Sequence, residues 1–304
     1  MMILRVSLTI YRYELKRSFS FGATLLWLLV IVFPTFLQTL IDQGSSLPEE
    51  YSGVLLVCMI PGAVCLMTIL NTMAPYLNTE LEGNTWPYIA VRPHGRTALM
   101  AGKYLVAITR SMIAGFLAIA LVFLSTSLNQ LNRDVPPPIV PAEATADNSE
   151  QTALANLHPD VNDKVTIINV EKDVPYPLWL SLVILVILSS FCYSALFCLL
   201  GTIMHKRPMV LAIIYTLLVE GVISSLPAVV NAFTINYYLR SIFLRLMGWE
   251  LTDLPNILFL NNPNSFSQMS TFGDLICLGI LCSIFLFAAN ILLRNREYHV
   301  GETL

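Results

Sequence analysis

Charged side chains are scarce in this sequence, and their scarcity excludes an ordinary soluble domain. Asp, Glu, Lys and Arg make up 12% of the 304 residues, whereas 56% are hydrophobic and the mean hydropathy is +0.68. Soluble domains carry about 25% charged residues. The 17 basic and 20 acidic residues are nearly balanced, so the overall charge says nothing about nucleic acid, and we expect no nucleic-acid partner. The composition predicts a membrane protein that is surrounded by the lipid bilayer.

The patterns of catalytic, metal and nucleotide sites are missing as well. The histidines are scattered, and the six cysteines lie in apolar runs without the paired spacing of a zinc site. No G-x-S-x-G or H-E-x-x-H pattern occurs. A phosphate-binding loop needs Ser or Thr after Gly-Lys, but Tyr104 follows Gly102-Lys103 and Thr97 takes the place of the first glycine. We expect no enzyme activity, cofactor or metal, so any energy must come from a partner.

Long apolar runs are what the sequence has instead. A helix needs about 20 mostly apolar residues to cross a membrane. Six segments meet this requirement: Phe21–Ile41, Gly53–Leu77, Leu105–Thr126, Leu178–Met204, Met209–Val230 and Asp274–Leu293. The sequence therefore predicts an all-α fold with six transmembrane helices, in one domain that covers residues 1–304.

The first 20 residues alternate basic and apolar side chains, with Arg12, Lys16 and Arg17 among the basic ones. This pattern is typical of an amphipathic helix that lies in the membrane interface. A cleaved signal peptide is not expected, because the apolar run that follows starts late, is too long and lacks a small-residue cleavage pattern. Residues 1–20 are therefore predicted to form an interfacial helix that leads into the first span.

The distribution of basic residues predicts that both termini are cytosolic. With the N-terminus inside, five of the 17 Lys and Arg residues fall outside and the other 12 inside. The five are Arg133, Lys164, Lys172, Arg240 and Arg245. Cytosolic loops of membrane proteins carry the excess of positive charge. Residues 78–104 should then face the cytosol, while residues 127–177 and 231–273 face outward, in a protein of the plasma (inner) membrane.

The two outer segments differ in character. Residues 127–177 are rich in proline and acidic residues, so we expect an extended, partly disordered loop, with a short strand at Val165–Val170. Residues 231–273 interleave aromatic side chains with Arg240 and Arg245, which favours short helices in the outer interface.

Glu220 is a carboxylate deep within a predicted span. Such a group is costly in a membrane, about 2.5–3.5 kcal/mol on insertion scales, and usually faces protein or water. Two interpretations remain open. Glu220 either joins helices through hydrogen bonds or takes a direct part in transport.

The segment Glu80–Lys103 separates the second and third predicted spans. Its charges and its Gly/Pro-interrupted backbone exclude it from lipid. Apolar residues alternate with charges here, whereas a mere solvated connector would be shorter or richer in Gly and Ser. We expect the acids, the Arg-Pro-His-Gly-Arg turn and Lys103 to be exposed for a cytosolic partner, with Trp86 and Tyr88 as apolar anchors. The candidate docking residues are Glu80, Glu82, Gly83, Thr85, Trp86, Tyr88, Arg92, Pro93, Arg96 and Lys103.

The order of these parts resembles an ABC-2-type transporter permease. A basic start at Arg12–Arg17 precedes two spans, then Glu82-Gly83-Asn84-Thr85, Arg92–Arg96 and Gly102-Lys103, then four more spans. The fifth span with Glu220 and the following Tyr237–Arg240 also resemble a branch of that family. The resemblance implies the membrane subunit of an ATP-driven exporter, with a cytosolic ATPase subunit and a second permease, identical or different, as partners. The enlarged loop at residues 127–177 departs from the family pattern.

Two other classes of function compete with this interpretation. An integral membrane enzyme acting on lipid would need a convergent nucleophile or metal set, which the sequence lacks. A non-transporting membrane scaffold could recruit partners through residues 127–177. Co-purification of an ATPase would distinguish an exporter from both.

Overall fold

The computed structural model describes residues 2–17, 21–44, 55–83, 85–92, 94–133, 176–204, 206–222, 231, 234–248 and 269–296. Every regular element within these ranges is helical, which confirms the all-α prediction for the described part of the chain. The helices are α1 Met2–Arg17, α2 Phe21–Gly44, α3 Leu66–Met73, α4 Tyr76–Glu82, α5 Trp86–Val91, α6 Gly95–Arg133, α7 Leu178–Ile203, α8 Pro208–Tyr215, α9 Ile235–Met247 and α10 Thr271–Asn295. A π-helical segment, Ile60–Cys65, leads into α3, and another, Thr216–Val222, follows α8.

Five helical runs of the described residues are long and apolar enough to cross a membrane. They are Thr24–Ile41, Leu55–Glu82, Gly95–Leu128, Leu178–Ile203 and Thr271–Asn295, and each coincides with a predicted span. The sixth predicted span, Met209–Val230, corresponds to the shorter apolar helix Pro208–Val222, and its last residues, 223–230, lie outside the described part.

Helices extend into the predicted connection, residues 78–104, from both sides. α4 continues to Glu82 and α6 begins at Gly95. Glu80 and Lys103, which were assumed to need water, neutralise each other at 2.6 Å. Charges that pair in this way can be accommodated in a helix next to the membrane core.

Helix α7 lies at the centre of the bundle. It packs against α3, α8, α9 and α10, and Leu182, Leu185 and Phe197 are fully enclosed. Of the span in α7, 67% is buried within the chain, compared with 17% for Thr24–Ile41 and 11% for the span in α10. The apolar faces of α2 and α10 are thus left for lipid or for another protein.

The chain divides into two compact units, Met1–Ser125 with Val174–Leu304, and Thr126–Asp173. Of the smaller unit, the described part is the end of α6, up to Arg133. The predicted outer loop at residues 127–177 therefore lies largely outside the described residues, including the strand expected at Val165–Val170. Within the second predicted outer segment, α9 is a helix, whereas residues 249–268 are outside the described part.

Candidate functional site

The segment between α4 and α6 folds into a compact structure around the short helix α5. Pro87 stands in the first turn of α5, a position where its fixed φ favours helix initiation and its missing N–H costs nothing. After α5, Arg92 is extended and His94 has a positive φ of 60°. A Cβ on Gly95 would lie 2.2 Å from the carbonyl oxygen of Ile89, so the turn can close only over glycine. The chain thereby returns on itself directly before α6.

Helix α5 has one buried residue at its start and an exposed apolar face. Trp86 is only 3% exposed, whereas Tyr88 is 76% and Val91 85% exposed. The expectation that Trp86 is an anchor available to a partner is therefore wrong for this chain. Its ring is covered by the chain itself, where burial of a large aromatic surface stabilises the segment. The apolar side chains that α5 offers to an outside partner are Tyr88 and Val91.

Arg96 connects this segment to the last described helix. Its guanidinium carbon lies 5.6 Å from the centre of the Trp86 ring, within cation–π range. Its Nη1 donates to the carbonyl oxygens of Leu293, Arg294 and Arg296, at 3.2, 3.0 and 3.3 Å. The last carbonyls of a helix lack partners within the helix and carry partial negative charge. Arg96 satisfies these carbonyls at the end of α10.

Arg296 makes the same kind of contact with the end of α7. Its Nη1 donates to the carbonyl oxygen of Ile203 at 2.7 Å and to that of Thr202 at 3.4 Å. Neither this contact nor the acceptors of Arg96 was predicted from the sequence. The available signal was a basic residue beside the predicted end of a span, because cations stabilise helix C-termini. The two arginines join α5, α6, α7 and α10 at one end of the bundle.

Lys103 and Glu80 form a buried ion pair, which corrects the prediction that both are exposed for docking. Each residue is only 6% exposed, and Lys103 Nζ lies 2.6 Å from Glu80 Oε1 and 3.7 Å from Glu14 Oε1. The lysine also donates to the carbonyl oxygen of Tyr76 at 3.0 Å. Thr85 donates its hydroxyl to the other Glu80 oxygen. Buried charges require such partners, so these residues hold α4, α6 and α1 together rather than meet a partner.

Of the remaining predicted docking residues, some are exposed and one is outside the described part of the chain. Glu82, Gly83 and Arg92 are exposed, and Glu82 accepts a hydrogen bond from the Asn78 side chain at 2.7 Å. Pro93 lies outside the described residues. The exposed members surround α5 with polar side chains of both signs.

The N-terminal helix α1 packs on α6 through one closely fitting position. A Cβ on Gly102 would lie 2.9 Å from Ile10 Cγ2 and 3.0 Å from the Ser7 carbonyl oxygen, so only glycine permits this approach. Tyr11 and Thr109 share a hydrogen bond of 3.3 Å between their hydroxyls. The basic residues predicted for the interfacial face, Arg12, Lys16 and Arg17, are all exposed.

Glu220 lies apart from the segment around α5 and contacts neighbouring helices. Its Oε2 accepts from the hydroxyl of Tyr193, in α7, at 3.1 Å and from the backbone N–H of Asn236, in the first turn of α9, at 3.3 Å. A carboxylate is favourable at a helix N-terminus, where backbone N–H groups lack partners within the helix. These are the contacts expected of a residue that joins helices. Within the described ranges, no three His, Cys, Asp or Glu residues are grouped as metal ligands would be.

The comparisons with known proteins agree with this architecture. Residues 30–291 match the family described as ABC-2 family transporter protein. No curated protein matches the chain. The match begins within α2, includes the whole segment around α5 and ends within α10. The chain is a multi-pass membrane protein and belongs to the ABC-2 transporter family, whose members of this type are permeases.

Proposed function

We propose that this chain is the permease subunit of an ATP-driven ABC-2-type exporter and that α5 docks on a separate cytosolic ATPase subunit. The observation that supports this most directly is that α5 exposes an apolar face while its base, the contacts of Trp86, Arg96 and Arg296, is attached to the bundle. Tyr88 and Val91 project outward, while Arg96 and Arg296 attach the base to two spans. Apolar side chains surrounded by charged residues are typical of a protein interface rather than of lipid contact.

The contacts at the base define a route by which a partner could move the spans. Displacement of α5 would act through the Trp86–Arg96 contact on the end of α10, and through Arg296 on the end of α7. Packed helices respond to such a load as rigid bodies that tilt or slide. Closure of an ATPase pair would in this way change which side of the membrane has access to the transport path.

The proposal includes a second permease, identical or different, and a defined orientation in the plasma membrane. The faces of α2 and α10 that the chain itself leaves uncovered are available to a partner within the bilayer. A dimer of two permeases would be arranged around a two-fold axis, the commonest symmetry of protein oligomers. Both termini and α5 would be cytosolic, α1 would lie in the inner interface, and Met209–Val230 would be the sixth span.

Docking is tested with variants of the exposed face. Tyr88→Ala and Val91→Ala should each reduce recovery of the cognate ATPase in a pull-down by about tenfold or more, because central aromatic and aliphatic contacts carry most interface energy. Arg92→Ala, an exposed charge beside them, is the matched control and should change recovery by less than about threefold. All three should insert normally. Wild-type recovery after replacement of residues 86–91 by a Gly/Ser linker would refute docking through α5.

The orientation is tested separately by labelling. Single cysteines replacing Ser149, Asn261 and Thr97, in a background without the six native cysteines, would be treated with a membrane-impermeant maleimide in intact cells. Positions 149 and 261 should react, and position 97 should react only after the membrane is opened. Labelling of position 97 in intact cells would reverse the proposed topology.

A further inference from the structure

A cavity lined by charged and polar side chains lies between α1 and the spans, with Lys103 in its wall. Its volume is about 300 Å³, roughly ten times the share of one water molecule in the liquid. Side chains of α1, α3 and α6 form much of its wall, among them Glu14, Arg17, Asn71, Thr72, Lys103 and Arg110. A cavity of this size and polarity can hold a small charged group.

Arg110 is the unusual member of this wall. Its side chain is 5% exposed, and its guanidinium carbon lies 5.9 Å from the centre of the Trp27 ring. Among the described residues, no side chain or carbonyl makes a hydrogen bond or ion pair with the Arg110 guanidinium, which lines the cavity. A buried cation without an anion is strongly disfavoured, and a single aromatic contact compensates for only part of the cost.

The other charges around the cavity are already matched. Lys103 is paired with Glu80 at 2.6 Å, and Glu14 lies between Lys103, at 3.7 Å, and Arg17, at 4.0 Å. One carboxylate, Glu14, lines the cavity with three cations, and Glu80 neutralises Lys103 from outside the lining. The nearest carboxylate contacts go to Lys103 and Arg17. The cavity has a net positive charge, and Arg110 is the position where an external anion would be stabilised most.

The position of Arg110 along α6 indicates where this anion comes from. Lys103, Val106 and Arg110 occupy one face of the helix, and Arg110 is about 10 Å farther into the membrane-spanning run Gly95–Leu128 than Lys103. An isolated inorganic ion avoids that depth. A lipid phosphate, in contrast, is carried to the boundary between headgroups and acyl chains by its own chains. On the outer side of α1, Tyr13 is 66% and Leu8 47% exposed, which suits contact with lipid.

We propose that the cavity between α1 and α6 binds the phosphate of a membrane phospholipid, with Arg110 as its main ligand and Arg17 at the entrance. The planar guanidinium matches two phosphate oxygens at once. Asn71 contributes a neutral polar group to the wall. The bound lipid would supply the missing counter-charge and fill the space beside the junction of α1 and α6. This inference does not depend on docking of an ATPase.

Native mass spectrometry of the purified full-length chain tests the proposal. Delipidated protein would be titrated with phosphatidylglycerol, with diacylglycerol of the same acyl chains, and with inorganic phosphate. We expect phosphatidylglycerol to bind at least about tenfold more tightly than diacylglycerol, since charge-assisted hydrogen bonds to phosphate distinguish the two. Equal affinity for both lipids would overturn phosphate recognition. Binding of inorganic phosphate as tight as that of the phospholipid would overturn the assignment to a lipid.

The variants assign the effect to Arg110. Arg110→Gln should weaken phosphatidylglycerol binding by about tenfold or more and leave diacylglycerol binding unchanged. The control Arg207→Gln removes an exposed arginine outside the cavity and should stay within about twofold of wild type. Unchanged phosphatidylglycerol binding in Arg110→Gln would refute the proposal.

A conservative variant covers the case in which Arg110→Gln does not fold. Arg110→Lys keeps the charge but loses the two-pronged geometry, so phosphatidylglycerol binding should weaken by about threefold or more. Wild-type affinity in Arg110→Lys together with wild-type affinity in Arg17→Gln would equally refute the site.

Discussion

The two ends of α10 are held in opposite ways. At its C-terminal end, the carbonyl oxygens of Leu293, Arg294 and Arg296 accept hydrogen bonds from the guanidinium of Arg96. At its start, the buried carboxylate of Asp274 pairs with Arg245 of α9 at 2.5 Å. Both arrangements follow the helix dipole, with cations at the C-terminus and a carboxylate in the first turn.

The difference lies in what each end leaves exposed. At the end that holds Arg96, which we call the loop end, the clamp extends to α7 through Arg296, and α5 carries Tyr88 and Val91 outward. At the other end, which we call the far end, the described contact of Asp274 is directed inward, toward Arg245 of α9. The loop end joins several helices and presents an apolar face, which suits a part that transmits force. The far end makes an inward contact, which suits a part that keeps its shape.

Loss of Lys103 should damage the loop end most. Lys103→Met leaves Glu80 buried and unpaired, and removal of one partner of a buried pair costs about 3–5 kcal/mol. Thermal unfolding of the purified protein, followed by the loss of the monodisperse fraction, should show a clear decrease in stability. The double variant Glu80→Gln/Lys103→Met should regain most of it, and exposed Lys16→Met should have no effect. A stable Lys103→Met protein would show that the pair does not hold the helices.

Removal of the Arg96 clamp should have the next largest effect. Arg96→Gln deprives three carbonyls of a charged donor, and a hydrogen bond to a charged group is worth about 1.5–3 kcal/mol. Hydrogen exchange should increase in the last turn of α10 but stay unchanged at its start near Asp274. Exposed Arg92→Gln serves as the control. If Arg96→Gln and wild type had the same exchange rates at both ends of α10, the distinction between the two ends would be lost.

Substitution of Glu220 tests the interpretation that its contacts with α7 and α9 only join helices. Glu220→Gln retains an acceptor for the Tyr193 hydroxyl, so we expect a loss of stability of about 0.5–1.5 kcal/mol and transport near the wild-type level. Normal folding with abolished transport in proteoliposomes would instead assign Glu220 to the transport path. That result would give a direct part in transport to a residue interpreted here as joining helices.

The smallest effect on stability is expected at the exposed face of α5. Tyr88→Ala removes a side chain that is 76% exposed, and such surface changes usually stay within about 0.5 kcal/mol. The same variant is predicted to recover much less of the cognate ATPase in a pull-down. A large decrease in its unfolding temperature would mean that Tyr88 supports the fold, and the contrast between a clamped base and a free face would no longer hold.

The spans were predictable because length and hydropathy decide them, and five described helical runs coincide with predicted ones. The connection around α5 was recognised from its charge, but some of the residues predicted to be exposed there are buried. Sequence reasoning treated Glu80 and Lys103 as solvated because their pairing joins positions that are 23 residues apart and on different helices. The turn at Gly95 was visible as a Pro-x-Gly pattern.

The contacts of the two arginines could not be read from the sequence. Arg96 meets acceptors that are about 200 positions away, and those acceptors are backbone carbonyls, which every residue has. The same is true of the position of α1, which depends on a single glycine, Gly102, facing Ile10. Periodicity predicts a helix and its apolar face, but it does not specify which neighbour that face will meet.

The Arg96 clamp also has a consequence for the order in which the protein is made. Leu293, one of its acceptors, is 197 residues farther along the chain, so at about 5–20 residues per second the arginine waits roughly 10–40 s for it. During that time α5 has no attachment to α10. The loop end can be completed only after the last described helix has left the ribosome and entered the membrane. Chains that stop before Leu293 should therefore show a segment at α5 that proteases cut, and such incomplete chains would be distinguishable from finished ones before any ATPase is bound.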